Sequence, residues 1–211
     1  ILGRIISPEN NIDRKEIPAA ESVAARSVDE HLYVFEALKA DLLPRIEHCA
    51  DLIFQTFERG GKVLICGNGG SAADAQHIAA EFVGRFEAER RALPSIALTT
   101  DTSALTALAN DYDFERIFSR QVEALAREGD CLIAISTSGN SPNVISAAMK
   151  ARQMRCQVIG MTGAGGKKLA SICDAAILVP SGRTARIQEA HITIGHIWCE
   201  MIDLNLLQKP K

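Results

Sequence analysis

Ser136-Thr137-Ser138 places three hydroxyl side chains in a row, and Gly139-Asn140-Ser141-Pro142-Asn143 follows at once. The run comes directly after the apolar segment Cys131-Leu132-Ile133-Ala134-Ile135. Ser141 is a natural N-cap and Pro142 a natural first helical residue, so a helix is expected to begin where the hydroxyls converge. The first turn of a helix leaves backbone N–H groups unpaired and carries the positive end of the helix dipole. Hydroxyls and N–H groups together can cradle a phosphate without a lysine. Gly139 lets the backbone approach such a ligand closely. A plain capped loop would need only two of these hydroxyls.

A second turn of this kind, Gly67-Asn68-Gly69-Gly70-Ser71-Ala72, follows the apolar run Val63-Leu64-Ile65-Cys66 and opens a helix-like stretch from Ser71 to about Phe86. It admits three readings. As GxGxxA it is a weak dinucleotide fingerprint, which calls for an acidic residue about 20 positions on. The nearest acid at the tip of the next strand candidate is Asp101, about 30 residues from the turn and too far along. The turn is also consistent with a tight strand-to-helix bend, or with an anion or sugar site at a helix N-terminus.

Two helical stretches carry polar groups among apolar neighbours. His77 and Glu81 are four apart, hence on one face, and suit proton transfer, metal binding or an ordinary surface pair. The final stretch carries Gln188, Glu189, His191 and His196 among Ile187, Ile192, Ile194, Ile197 and Trp198. At about 100° per residue, Gln188 and His196 lie about 80° apart, whereas His191 and His196 are about 140° apart and do not readily serve one site. Gly195 leaves room beside His196. A His/Glu pair with a Gln/His pair could form a four-ligand metal site, although an amide is an unusual zinc ligand. A lone histidine here would more simply be a hydrogen-bonded core residue.

These groups need a scaffold. Residues 1–20 contain two prolines and no clear period, and read as an N-terminal arm. From Ser27 to Arg59, apolar residues recur at helical spacing, with a bend expected at Pro44 and an end at Gly60-Gly61. Strands are expected at 63–66, 95–98, 131–135, 157–161 and 175–179. Helical segments are expected from Ser71 to about Phe86, over 103–127 with a break near Asn110-Asp111, from Pro142, and from Arg183 to Leu207. Strands alternating with helices predict an α/β fold, one domain with a five-stranded parallel sheet flanked by helices and an N-terminal helical region.

Composition narrows the function classes. The chain has 211 residues, 47% hydrophobic and 23% charged, with a net charge of −3. That balance, with only 5% aromatics, argues against a nucleic-acid partner held by bulk charge or base stacking. No apolar stretch reaches about 18 residues, so no membrane span is expected. Six scattered cysteines without a CxxC pair fit a reducing, cytoplasmic setting.

Taken together, Cys66-Gly67-Asn68-Gly69-Gly70-Ser71, Gln76-His77 with Glu81, Ser136-Thr137-Ser138-Gly139-Asn140-Ser141, and Arg186-Ile187-Gln188-Glu189 with His191 and His196 resemble the bacterial phosphoheptose isomerases of the sugar isomerase (SIS) group. The similarity runs from about residue 27 to the C-terminus. The resemblance implies a homotetramer with active sites between subunits. It implies conversion of sedoheptulose 7-phosphate to D-glycero-D-manno-heptose 7-phosphate, the first step toward activated heptose. Asn68, Gly69, Gly70 and Ser71 would then line the sugar site, Asn110 and Asp111 would contact the sugar chain, and Ser136, Thr137, Ser138 and Ser141 would hold the phosphate. His77, Glu81, Gln188 and His196 would be zinc ligands, Glu81 the base, and His196 the acid that shuttles the hydroxyl proton. Ala185 departs from members that carry Asp there. An adaptor branch of the same group, which associates with the bacterial replication initiator, is the alternative; it lacks equivalents of Glu81 and His196.

Overall fold

The computed structural model describes residues 22–208, so the expected arm at 1–20 lies outside the described residues. Five strands, β1 (Val63–Gly67), β2 (Ser95–Ala97), β3 (Cys131–Ile135), β4 (Gln157–Gly163) and β5 (Ala175–Val179), form one parallel sheet in the order β2-β1-β3-β4-β5. Leu64 pairs with Ile96 on one side and Leu132 on the other, and Ile159 pairs with Ile133 and Ala175. The α-helices are α1 (Val23–Asp41), α2 (Leu43–Glu58), α3 (Gly70–Val83), α4 (Thr102–Asp111), α5 (Ser119–Leu125), α6 (Pro142–Gln153), α7 (Lys167–Ala170) and α8 (Thr184–Leu207).

The strands read as continuous apolar runs because both sheet faces are covered. Their two-residue period sorts side chains between two cores. Val63 and Ile65, with Ile133 and Ile135, face α1, α2, α3 and α8. Leu64 and Cys66, with Leu132 and Ala134, face the layer containing α5 and α6. Strand order reverses direction between β1 and β3, a switch point beyond which the two connecting loops diverge to opposite faces.

Several expected boundaries shift for identifiable reasons. The N-terminal helical region is two helices that meet at Leu42, because Pro44 has no N–H to continue the first. α3 stops at Val83, where Gly84 caps it, so Phe86 lies in the following loop. The expected helical stretch 103–127 is α4, a 3-10 turn at Phe114–Arg116 and α5. Asp113 starts that turn by accepting the Arg116 N–H at 3.0 Å. β4 extends to Gly163, and the one-turn α7 was not expected.

His191 is a core histidine, as its spacing from His196 suggests. It is fully buried, and its Nε2 donates to the Thr162 carbonyl at 3.4 Å while Nδ1 has no partner among the described residues. Burial pushes its pKa down to about 4, against a partial rise from that hydrogen bond. The unfolded chain therefore takes up this proton first. Stability from the group is complete above about pH 6.5 and is lost as pH falls toward 4. Between pH 7 and pH 4 this histidine is expected to remove about 3 kcal/mol of folding stability. Urea unfolding across that range should show a shallower pH slope in His191→Gln; an unchanged slope would place the titration elsewhere.

Candidate functional site

The loops after β1 and β3 meet at the switch point. Between them lies a cavity of about 270 Å³, lined by Asn68, Gly69, Gly70 and Ser71 from one loop and Ile135, Ser136, Thr137 and Ser141 from the other. Thr184 and Gln188 at the start of α8 close it. No lysine or arginine lines this cavity, so the positive potential available to an anion comes from helix N-termini and hydroxyls. Among the dinucleotide signs, Asp101 is accounted for as the N-cap of α4, accepting the Ala104 N–H at 2.9 Å.

The hydroxyl loop is arranged differently from the capped loop expected. Ser141 occupies the N-cap position but makes no side-chain cap bond; its Oγ lies 2.9 Å from Ser136 Oγ. Ser138 is exposed, outside the cavity lining, with its Oγ accepting the Asn140 N–H at 3.2 Å. Gly139 turns the chain at φ +64°, and a Cβ there would lie 2.3 Å from Gly166 Cα. The absence of a side chain there lets the β4–α7 turn pack underneath.

Asn143 was missed by sequence reading. Its amide and that of Asn68 exchange two hydrogen bonds of 2.8 Å each, locking the two loops together. The signal was available: Asn143 stands one and two helical repeats before buried Ala147 and Ala151, so a polar side chain points inward.

α3 and α8 carry the titratable groups. Contacts advance in the same sense along both helices, Gly70 against Gln188 and Ile78 against Gly195, so they run side by side in parallel. Gly195 permits this approach, since a Cβ there would meet Ile78 at 2.7 Å; the space it leaves serves Ile78 and not His196. The pairing brings His77 Nε2 to 3.3 Å from Glu81 Oε1 and 3.3 Å from His196 Nε2. Asp74 lies one turn earlier on α3. Burial pushes its carboxyl up to about 6, opposed by His77, and one of its oxygens has no hydrogen-bond partner among the described residues.

Gln188 lies over the start of α3, where a Cβ on Gly70 would sit 2.4 Å from its Nε2. The neighbouring Glu189 accepts from His31 Nδ1 at 2.8 Å and pairs with Arg186 at 2.6 Å, which fastens the beginning of α8 to α1. Gly70→Ala is therefore a clean probe. Alanine favours a helix by up to about 1 kcal/mol over glycine, and the atom in the way ends a flexible side chain. Measured without metal, the melting temperature should hold or rise, while activity falls as Gln188 is displaced; retained activity would show that Gln188 need not lie there.

Asn110 and Asp111 are not brought to this cavity. Both are exposed at the end of α4, where Asn110 Nδ2 donates to Asp111 Oδ1 at 2.9 Å. Ala185 is exposed beside Thr184 and lies outside the cavity lining.

A metal can be tested against the donors present. One ring nitrogen of His77 carries at most one proton and cannot donate to both Glu81 and His196. Tetrahedral zinc with bonds of about 2.0–2.1 Å separates neighbouring donors by about 3.3–3.4 Å, which the two 3.3 Å distances match. Yet among the described residues no group of three or more His, Cys, Asp or Glu side chains is arranged to hold a metal ion. Donor type and pair spacing fit zinc; a closed shell is not preformed.

The SIS domain family model matches residues 28–163. A phosphoheptose isomerase of Trichlorobacter lovleyi is 52% identical over 186 residues, covering 88% of this chain and 95% of that protein. One from Roseiflexus sp. is 50% identical and covers 96% and 99%. The solved structure of phosphoheptose isomerase GmhA from Neisseria gonorrhoeae superposes with a TM-score of 0.82 at 47% identity, covering 86% of this chain and 97% of that one. With this family match and relatives half identical over nearly their whole length, the chain belongs to the phosphoheptose isomerases of the SIS domain family.

Proposed function

We propose that this enzyme interconverts sedoheptulose 7-phosphate and D-glycero-D-manno-heptose 7-phosphate through an enediol. The observation that carries the reading is the meeting of His77, Glu81 and His196 on two helices whose N-terminal ends border the hydroxyl-lined cavity. In this reading Ser136, Thr137, Ser138 and Ser141 hold the phosphate, with Ser138 turning inward when the anion arrives. Asn68, Gly69, Gly70 and Ser71 hold the sugar. Remote phosphate binding fixes the reacting carbons, which turns proton transfer into a local event. Glu81 removes the proton from the carbon beside the carbonyl and returns it to the neighbouring carbon. His196 moves the hydroxyl proton between the two oxygens.

Zinc held by His77, Glu81, Gln188 and His196 would supply Lewis-acid polarisation of the carbonyl oxygen. The 3.3 Å spacings of His77 Nε2 from Glu81 Oε1 and from His196 Nε2 support this donor set. One zinc ion per chain is expected on metal analysis. Chelation should lower the melting temperature and zinc should restore it, since a ligand of the folded state stabilises by mass action. A melting temperature indifferent to both would remove the metal.

Asn110 and Asp111, exposed and outside the cavity of their own chain, are assigned to the site of a neighbouring subunit in a homotetramer. No described helix is long and apolar enough to cross a membrane, and all six cysteines are free, which supports the cytoplasm as the working compartment. The adaptor alternative has no support, because both residues that branch lacks, Glu81 and His196, are present. Incubation with sedoheptulose 7-phosphate and detection of the aldose product tests the function. Absence of product with the metal-loaded enzyme would overturn it.

A further inference from the structure

The loop that leaves α3 after Val83 returns to the sheet at β2 and carries Phe86. The Phe86 ring stacks on His196, with centroids 5.4 Å apart and planes at 28°. His77 meets the same imidazole at 4.9 Å and 74°. His196 is thus held between a stacked ring and a near-perpendicular one, and half-buried Phe86 shields one face of it from water.

Phe86 is seated by a single buried ion pair. Arg90 and Asp203 have side chains only 3% and 4% exposed, and Arg90 Nε donates to Asp203 Oδ1 at 2.8 Å. Arg90 Nη1 also donates to the carbonyls of Phe82 (2.8 Å), Gly84 (3.1 Å) and Arg91 (3.0 Å). Its Nη2 donates to the carbonyl of Glu81 at 2.8 Å. The other oxygen of Asp203 accepts the N–H groups of Glu87 (3.2 Å) and Ala88 (3.1 Å). Backbone on both sides of Phe86 is therefore fixed, at Gly84 and at Glu87. Asp203 lies on α8, two turns beyond His196, and Arg90 grips the backbone of Glu81 itself. One charged pair thus ties together the helix bearing the base, the helix bearing the proton shuttle and the loop bearing the aromatic ring.

We propose that Phe86 is a positioning residue for the isomerisation. Seated by Arg90 and Asp203, it fixes the plane of the His196 imidazole so that the ring nitrogen meets the substrate hydroxyls. The inference rests on His196 acting as the proton shuttle. A misplacement of about 1 Å at a reacting group costs on the order of 100-fold in rate, so loss of one restraining wall should cost about ten-fold.

The test measures kcat and KM for sedoheptulose 7-phosphate in Phe86→Leu, Phe86→Tyr, His196→Gln and the Phe86→Leu/His196→Gln double variant. Phe86 sits in a loop and is half-buried, so Phe86→Leu should fold with a nearly unchanged melting temperature. It is expected to lower kcat about ten-fold with KM within about two-fold, because the ring touches the shuttle and lies outside the cavity lining. Phe86→Tyr, which keeps the ring, should restore kcat. With the imidazole gone the leucine substitution should have no further effect, the non-additivity expected of one unit. Normal kcat in Phe86→Leu, equal losses in the leucine and tyrosine variants, or additive losses in the double variant would overturn the proposal. Normal turnover in His196→Gln would instead overturn the assignment of the shuttle on which it rests.

Discussion

Glu81→Gln is expected to lower the turnover of sedoheptulose 7-phosphate by at least about 100-fold, the lower range for loss of a general base. The amide matches the carboxylate in shape but cannot accept a proton from carbon. Its surroundings tolerate the change: Glu81 is about a quarter exposed, its side-chain contact is His77 at 3.3 Å, and its carbonyl stays bound by Arg90 at 2.8 Å. The loss should therefore fall on kcat, with KM and the metal-free melting temperature close to those of the unaltered enzyme. His196→Gln should give a loss of similar size. If the two act on one proton-transfer sequence, the double variant should be little worse than either single one. Near-normal turnover in either single variant would remove that residue from the mechanism.

Much of the scaffold is legible in the sequence because burial writes it there. β3 and β5 coincide with apolar runs in the sequence, since a strand covered on both faces leaves no room for polar alternation. The i,i+4 spacing of His77 and Glu81 correctly puts them within reach of each other. The glycine and hydroxyl loops fall at one end of the sheet because parallel strands send all their following loops to the same edge. What sequence periodicity does not carry is a contact between residues far apart in the chain. Arg90 and Asp203 meet across a separation of 113 residues, and neither belongs to a motif. Phe86 reads as the last residue of a helix, and only Gly84 moves it into a loop where it can face His196. α7 is too short for any period to show. Ser141 reads as a cap because cap preference is local, whereas its hydroxyl is claimed by Ser136 five residues back.

The candidate site also explains why its charged and uncharged parts are separated. The cavity floor is built from backbone, hydroxyls and amides, groups that can bind an anion without presenting a titratable side chain to it. The titrating groups lie farther along α3 and α8. In the proposed function, a phosphate held at the helix N-termini would leave the rest of an extended sugar to reach along α3 and α8, so the substrate would be measured by length, phosphate at one end and reacting carbons at the other. Activity should then fall steeply for sugars lacking the phosphate.

Asp203→Ala should destabilise the fold by about 3–5 kcal/mol, the cost of leaving a buried charge without its partner. Arg90 is 3% exposed, so water cannot readily replace the carboxylate, and the Glu87 and Ala88 N–H groups lose their acceptor as well. Against a typical folding stability of about 5–15 kcal/mol this is a large share. Buried ion pairs can often be replaced by apolar residues at no loss, which would make Arg90→Met/Asp203→Leu neutral. That outcome is not expected here. The guanidinium serves the carbonyls of Glu81, Phe82, Gly84 and Arg91, and the carboxylate serves two amides, so the apolar pair takes a partner from six backbone groups, of which the Phe82 carbonyl keeps the Leu93 N–H at 3.1 Å. Each buried backbone group left unmatched costs about 1–3 kcal/mol, and those near the surface less because water takes over. The double variant should therefore remain at least about 2 kcal/mol less stable than the unaltered protein in urea unfolding. Full recovery of stability would show that loop 84–91 holds its shape without the pair.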